Sequence, residues 1–165
     1  MEIIGFIICI LLLASPFIAF EIYKRKIKIF NKGVMSFKES LDLTNLPIVT
    51  FTSGDKKYNF LLDTGASGSV INKDTLKDIT YNSTGDTTDI FGMEGNAQIA
   101  EIVEIWLTYK DKSFKEQFQA ADLSKAFDIL KKEYGVNIHG ILGSLFFKKF
   151  KYILDFSELI AYSTI

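Results

Sequence analysis

From about residue 46 onward, apolar residues occur in short runs separated by glycine, asparagine, aspartate and serine, which is typical of a strand-rich domain. Pro47 opens the first predicted strand, a position that tolerates its missing N–H. A hairpin turn is predicted at residues 53–55, whereas residues 81–88 form a polar stretch. The predicted strands lie at residues 46–51, 58–62, 70–71, 97–109, 114–120, 152–156 and 159–162.

Helical segments are predicted to be few and short. Asn72 or Asp74 can begin a single turn that ends at Leu76. Asp122 or Ser124 can cap a longer helix that packs on the sheet and ends before a glycine. Its apolar face comprises Leu123, Ala126, Phe127, Leu130 and Tyr134, with Gly135 following. A short helix or bend is also predicted after residue 143.

The N-terminal segment differs in character from the rest. Residues 3–20 are apolar or small apart from Ser15 and Pro16, which is close to the length that spans a bilayer. A cleaved signal peptide is the alternative, but no basic residue precedes the run. The basic residues follow it, at Lys24, Arg25, Lys26, Lys28 and Lys32. The positive-inside rule therefore predicts a single-pass anchor over residues 1–22, with the following domain facing the cytoplasm.

A basic connector is expected between the anchor and the folded domain. It covers residues 23–43 and mixes lysines with apolar residues, so it can lie along a membrane surface or act as a solvated linker. A turn at residues 31–33 interrupts any helix that continues from the anchor. The folded domain is predicted over residues 44–165.

Composition excludes several classes of protein. A formal net charge of −1 and a pI of about 5.9 argue against nucleic-acid binding. The 15 Phe and 7 Tyr, against 2 Pro, favour a mainly β folded core. Cys9 and His139 are the only cysteine and histidine, so we expect no disulfide, no thiol nucleophile, no metal site and no cofactor. His139 is predicted to be a polar residue in the turn before Gly140.

Residues 60–72 provide the candidate chemistry. Three apolar residues lead directly into Asp63, Thr64 and Gly65, and a second apolar pair follows at residues 70–71. Small residues between the two runs permit a tight turn that holds a carboxylate beside the core. Such a carboxylate is costly unless it is hydrogen-bonded, which indicates a function. An ordinary turn between two strands is the alternative.

The string Leu-Leu-Asp-Thr-Gly-Ala-Ser at residues 61–67 resembles the active-site loop of the aspartic proteases. The later string Gly-Ile-Leu-Gly at residues 140–143 resembles the supporting segment of their single-lobed, retropepsin-like branch. The resemblance covers residues 46–162 and implies a closed β-barrel with one or two short helices. It departs where Ser144-Leu145 replaces the acid that often follows, which leaves one supporting contact open.

The resemblance also implies roles for individual residues. Asp63 would be the catalytic acid and base, the Thr64 hydroxyl would brace two loops across a dimer axis, and Gly65 would allow close backbone approach. Ala66 and Ser67 would complete the hydrogen bonding around the carboxylate. A flap that closes over bound peptide is expected at Phe91, Gly92, Met93, Glu94 and Gly95.

Hydrolysis by aspartic proteases needs two carboxylates that share a proton. The chain contains a single Asp-Thr-Gly, and Asp155 is predicted to lie in a turn or at a strand end. The second Asp63 would therefore come from another copy in a two-fold homodimer, which membrane anchoring favours. The sequence thus predicts a membrane-anchored, homodimeric endopeptidase acting on peptides or proteins. The alternatives are an inactive peptide-binding or dimerisation module, and a tethered β domain in which Asp63 only caps a turn.

Overall fold

The computed structural model describes residues 35–91 and 97–165, together with Pro16. Its strands are β1 (Ile48–Ser53), β2 (Lys56–Leu62), β3 (Ser69–Asn72), β4 (Asn82–Phe91), β5 (Ala97–Tyr109), β6 (Lys112–Ala121), β7 (Gly140–Leu142), β8 (Tyr152–Asp155) and β9 (Ile160–Ser163). Its helices are α1 (Phe37–Thr44), a 3₁₀ turn (Lys73–Lys77), α2 (Ser124–Tyr134) and α3 (Ser144–Lys149).

Six strands form a closed barrel in the order β1-β2-β7-β3-β6-β5. The barrel closes where β1 and β5 pair at Thr52 and Thr108, and the Thr52 hydroxyl donates to the Thr108 carbonyl at 3.3 Å. The β2–β7 and β3–β6 pairs are parallel, and the other neighbours are antiparallel. The mainly β, closed-barrel expectation is confirmed.

Aromatic side chains fill the barrel. Phe51, Phe60 and Phe118 are fully buried, and they meet edge to face or tilted at centroid distances of 5.6–5.8 Å. Phe146 of α3 closes the same cluster, 6.2 Å from Phe51. Burying this much aromatic surface is the main favourable term for folding, and it fixes α3 against the barrel.

The strand β4 was not predicted over most of its length, because residues 82–88 are polar. It pairs only with β5, and most of its side chains are exposed, so it needs no alternating apolar pattern. Its register shifts between Ser83 and Thr87, around Gly85 at φ +80°. The β4–β5 pairing continues to Phe91 and Ala97.

The helix α1 precedes the predicted start of the domain at residue 44. A capping box joins Ser36 and Glu39 at its start, and Phe37 is buried in the core. Residues 37–43, which the sequence assigned to the connector, are thus helical and packed on the barrel. The predicted anchor lies outside the described residues apart from Pro16. No helix in the described part of the chain is long and apolar enough to cross a membrane.

Most of the remaining elements agree with the sequence pattern, although the strand β7, which pairs with both β2 and β3, was not predicted. In α2 the Ser124 N–H donates to Asp122, and Gly135 ends the helix at φ +71°. The strands β8 and β9 form the predicted C-terminal hairpin. Asp155 is the last residue of β8, and one of its carboxylate oxygens accepts from the backbone N–H groups of Ser157 and Glu158 in the turn that follows.

Candidate active site

The strand β2 delivers Asp63 to the end of the barrel. Its last residues pair in parallel with β7, from Phe60 with Gly140 to Leu62 with Leu142. The Asp63 N–H continues this ladder by donating to the Leu142 carbonyl at 3.0 Å. Because Leu62 is buried and Asp63 is half-buried, the chain leaves the core at this carboxylate.

The turn after Asp63 orients the carboxylate. Its Oδ1 accepts from the Gly65 N–H at 2.8 Å, and its carbonyl accepts from the Ala66 N–H at 3.3 Å. A Cβ at Gly65 would lie 3.1 Å from that Oδ1, so a larger residue would crowd the acid. Thr64, Gly65 and Ser67 are exposed, which leaves this side of the loop open to a partner or a substrate.

The start of α3 holds the loop from the other side. The N–H groups of Ser144 and Leu145 donate to the carbonyls of Ala66 and Ser67 at 2.8 and 3.1 Å. The Ser144 hydroxyl donates to the Thr64 carbonyl at 2.7 Å. Ser144, one of the two residues that replace the acid, therefore contacts the loop through both its N–H and its hydroxyl.

Gly143 lets α3 approach this closely. A Cβ on Gly143 would lie 2.3 Å from the Gly68 carbonyl oxygen and 2.9 Å from that of Ala66. Backbone atoms cannot yield as a flexible side chain does, so only glycine fits. Leu142 and Gly143 therefore both contact the loop, Leu142 through the Asp63 N–H and Gly143 through its close approach to Gly68 and Ala66.

A buried acid beside the loop was not singled out from the sequence. Glu116 of β6 is 4 % exposed, and its carboxylate contacts Ser69 and Lys149. The sequence pattern could have predicted that Glu116 is buried. The strand β6 alternates buried and exposed positions, and Glu116 occupies a buried one between two phenylalanines. A cavity of about 490 Å³ opens here, lined in part by Gly68, Ser69 and Glu116.

His139 has a structural position rather than a place in the loop. Its Nδ1 accepts from the Asn59 N–H at 2.9 Å, and its backbone bridges Asn59 and Asn72. Burial lowers the pKa of His139, although the nearby Asp78 carboxylate opposes the shift. Nδ1 can accept this bond only while it carries no proton.

Two further predictions concern groups away from the loop. Phe91 ends β4, and the rest of the predicted flap, Gly92, Met93, Glu94 and Gly95, lies outside the described residues. Within the described ranges, no cluster of His, Cys, Asp and Glu is arranged to hold a metal ion.

The sequence family makes this chain an aspartic-type endopeptidase, and the site agrees with that class, since Asp63 lies on a glycine-containing loop at the end of a closed six-stranded barrel. The chain belongs to the aspartyl protease family, whose sequence model matches residues 49–146. Among solved structures, EIAV protease complexed with the inhibitor HBY-793 is similar at 22 % identity and a TM-score of 0.47, over 63 % of this chain and 86 % of that one. No curated protein matches the chain significantly.

Proposed function

We propose that two copies of this chain form the active peptidase, with one Asp63 from each copy in a shared catalytic pair. One carboxylate, ionised, takes a proton from water as the water attacks the scissile carbonyl. The other, protonated, donates to the carbonyl oxygen. When the tetrahedral intermediate collapses, the scissile C–N bond breaks, the first carboxyl gives its proton to the leaving amine, and the second takes one back from a hydroxyl of the intermediate. Thr64 would brace the two loops across the axis, while Ala66 and Ser67 would position the carboxylates and the substrate backbone.

The exposed face of the loop is the observation that carries this proposal. Asp63 is half-buried and Thr64 and Gly65 are exposed, although α3 holds the opposite side firmly. The Thr64 side chain is exposed, so its hydroxyl can reach a second loop. A two-fold axis at this face would bring each Asp63 to its own counterpart.

Among the residues that the structure describes, the other acid that follows an apolar strand is not placed as Asp63 is. Asp155 follows an apolar strand as Asp63 does, but its Oδ1 is engaged by the β8–β9 turn. The sequence has no second Asp-Thr-Gly. Both facts favour a partner copy as the source of the second carboxylate.

Asp63→Asn tests the pair, with Asp155→Asn as the matched control. Both changes remove one carboxylate charge at nearly constant volume. Cleavage of a quenched fluorogenic peptide library should disappear with D63N, whereas the dimer, measured by sedimentation, should remain. D155N should retain cleavage. Full cleavage by D63N would refute the role of Asp63.

Mixed subunits test the sharing of the site. After subunit exchange between equal amounts of wild type and D63N, activity should fall to about a quarter of that of wild type at the same total concentration, because only wild-type pairs have both acids. Activity of about one half would mean that each chain acts alone.

The proposal also includes membrane anchoring through residues 1–22, with the peptidase domain in the cytoplasm. It is supported by the apolar run at residues 3–20 and the basic residues that follow it. The full-length chain should stay in the membrane fraction through alkaline carbonate extraction, and removal of residues 1–22 should release it. Protection of the domain inside intact cells against added protease would support the orientation. Recovery of the full-length chain in the supernatant would refute the anchor.

A further inference from the structure

A charged side chain lies in the core beside the active-site loop. Glu116 occupies an inward position of β6 between Phe114 and Phe118, which are both buried. An ionised carboxylate is costly in such surroundings unless its oxygens are paired. Here Oε1 accepts from the Ser69 hydroxyl at 2.9 Å, and Oε2 lies 3.2 Å from the Lys149 ammonium.

These two partners connect Glu116 to the elements that hold the loop. Ser69 is the first residue of β3, directly after the loop, and its hydroxyl also accepts from the Gly143 N–H at 3.3 Å. Gly143 precedes the N–H groups of Ser144 and Leu145 that hold the loop carbonyls. Glu116 therefore reaches the start of α3 through Ser69.

The other partner fixes the far end of the same helix. Lys149 is the last residue of α3, and its ammonium also donates to the Lys115 carbonyl at 2.6 Å. It is half-exposed, whereas Glu116 and Ser69 are buried. One carboxylate thus ties both ends of α3 to β6.

We propose that Glu116 is a positioning residue of this peptidase, which holds α3 against the active-site loop through Ser69 and Lys149 and so orients Asp63. The inference rests on the proposed role of Asp63. The loop contacts α3 on one side and is exposed on the other, so a shift of α3 moves the loop carbonyls directly. Misplacement of reacting groups by about 1 Å can cost two orders of magnitude in rate.

Three variants separate positioning from simple stabilisation. Glu116→Gln keeps an acceptor for Ser69 but loses the charge that holds Lys149. Ser69→Ala keeps that ion pair but removes the link to Gly143. Glu104→Gln is the matched control. Glu104 lies on the neighbouring strand β5 and also forms an ion pair with a lysine, Lys115 of β6, at 3.0 Å.

The kinetic measurement compares how far each substitution changes kcat and how far it changes KM. Circular dichroism first shows that every variant is fully folded. For E116Q and S69A we expect kcat to fall on the order of tenfold or more while KM changes by less than about twofold. Since both act on one chain of contacts, the double variant should be little worse than the poorer single variant. E104Q should match wild type. Unchanged kcat in folded E116Q and S69A, or losses that multiply in the double variant, would overturn the proposal.

Amide hydrogen exchange supplies a readout that needs no activity. The amides of Gly143, Ser144 and Leu145 should exchange faster in E116Q and S69A than in wild type or E104Q. Unchanged exchange would overturn the structural part of the inference. Absence of cleavage by wild type, or full cleavage by D63N, would instead overturn the proposed function and with it the catalytic consequence, while the exchange data would still decide whether Glu116 holds α3.

Discussion

Gly143→Ala tests how closely the start of α3 must approach the active-site loop. The new Cβ would lie 2.3 Å from the Gly68 carbonyl oxygen, 2.6 Å from its carbon and 2.9 Å from the Ala66 oxygen. These separations fall short of ordinary contact by about 1 Å, so the loop and the helix must move apart. That movement would lengthen the bonds from Ser144 and Leu145 to the loop.

The magnitude follows from those contacts. Overpacking typically costs about 1–3 kcal/mol, and two weakened backbone hydrogen bonds add about 0.5–1.5 kcal/mol each, so the free energy of unfolding should fall by about 2–6 kcal/mol. Urea denaturation followed by far-UV circular dichroism measures this loss. The peptidase activity of the folded fraction should fall as well, because the displaced loop carries Asp63.

Gly68→Ala is the control on the same loop. Its Cβ would meet only the flexible side chain of Gln119, at 3.4 Å, so stability should change by no more than about 0.5 kcal/mol. If Gly143→Ala were as stable and as active as Gly68→Ala, the close approach of α3 would not constrain the loop, and the reasoning would fail.

Two further predictions concern stability away from the loop. The pKa of His139 is lowered by burial in the folded chain, so unfolding takes up a proton, and the free energy of unfolding should fall as the pH drops below about 6.5, by at most about 1.4 kcal/mol per pH unit. His139→Asn keeps an acceptor for the Asn59 N–H but cannot titrate. Urea denaturation between pH 4 and 8 should therefore show a free energy of unfolding that depends less on pH than that of wild type. An equal pH dependence would exclude His139 as the cause of the wild-type loss. Ser36→Ala removes the capping box of α1 and should cost about 1 kcal/mol by the same denaturation assay without changing kcat; no loss would mean that the cap does not stabilise α1.

The sequence predicted those elements in which apolar residues are buried and polar residues are exposed. Strands of the barrel alternate or are wholly apolar because they are buried on one or both faces. Asp63 was singled out because small residues follow an acid between two apolar runs, and because the string at residues 61–67 resembles the active-site loop of the aspartic proteases. Asp155 was predicted to be a turn or strand-end acid because no Thr-Gly follows it, and its Oδ1 accepts from the N–H groups of Ser157 and Glu158.

Most of the parts that were missed have buried polar groups or are exposed strands, whereas β7 is apolar and only three residues long. The buried face of α1 includes Ser40 and Thr44, whose hydroxyls bond to backbone carbonyls, so the helix lacks a clear apolar stripe. The strand β4 is exposed and polar. Glu116 is charged at a core position, and its partners Ser69 and Lys149 are distant in sequence. Their proximity depends on the register of β3 and β6, which no local pattern specifies.

The single paired position between β1 and β5 has a consequence for where the barrel opens transiently. Thr52 and Thr108 are the one paired position there, fewer than between any other two neighbouring strands of the barrel. A brief separation of β1 from β5 therefore disrupts less strand pairing than the separation of other neighbours would. Asp63 follows β2, and in the strand order its supports β7 and β3 lie away from this join. Separation of β1 from β5 would leave the β2–β7 and β3–β7 pairing beneath Asp63 unbroken, so the wall of the barrel can loosen at its weakest pairing without loss of the strands that hold the acid.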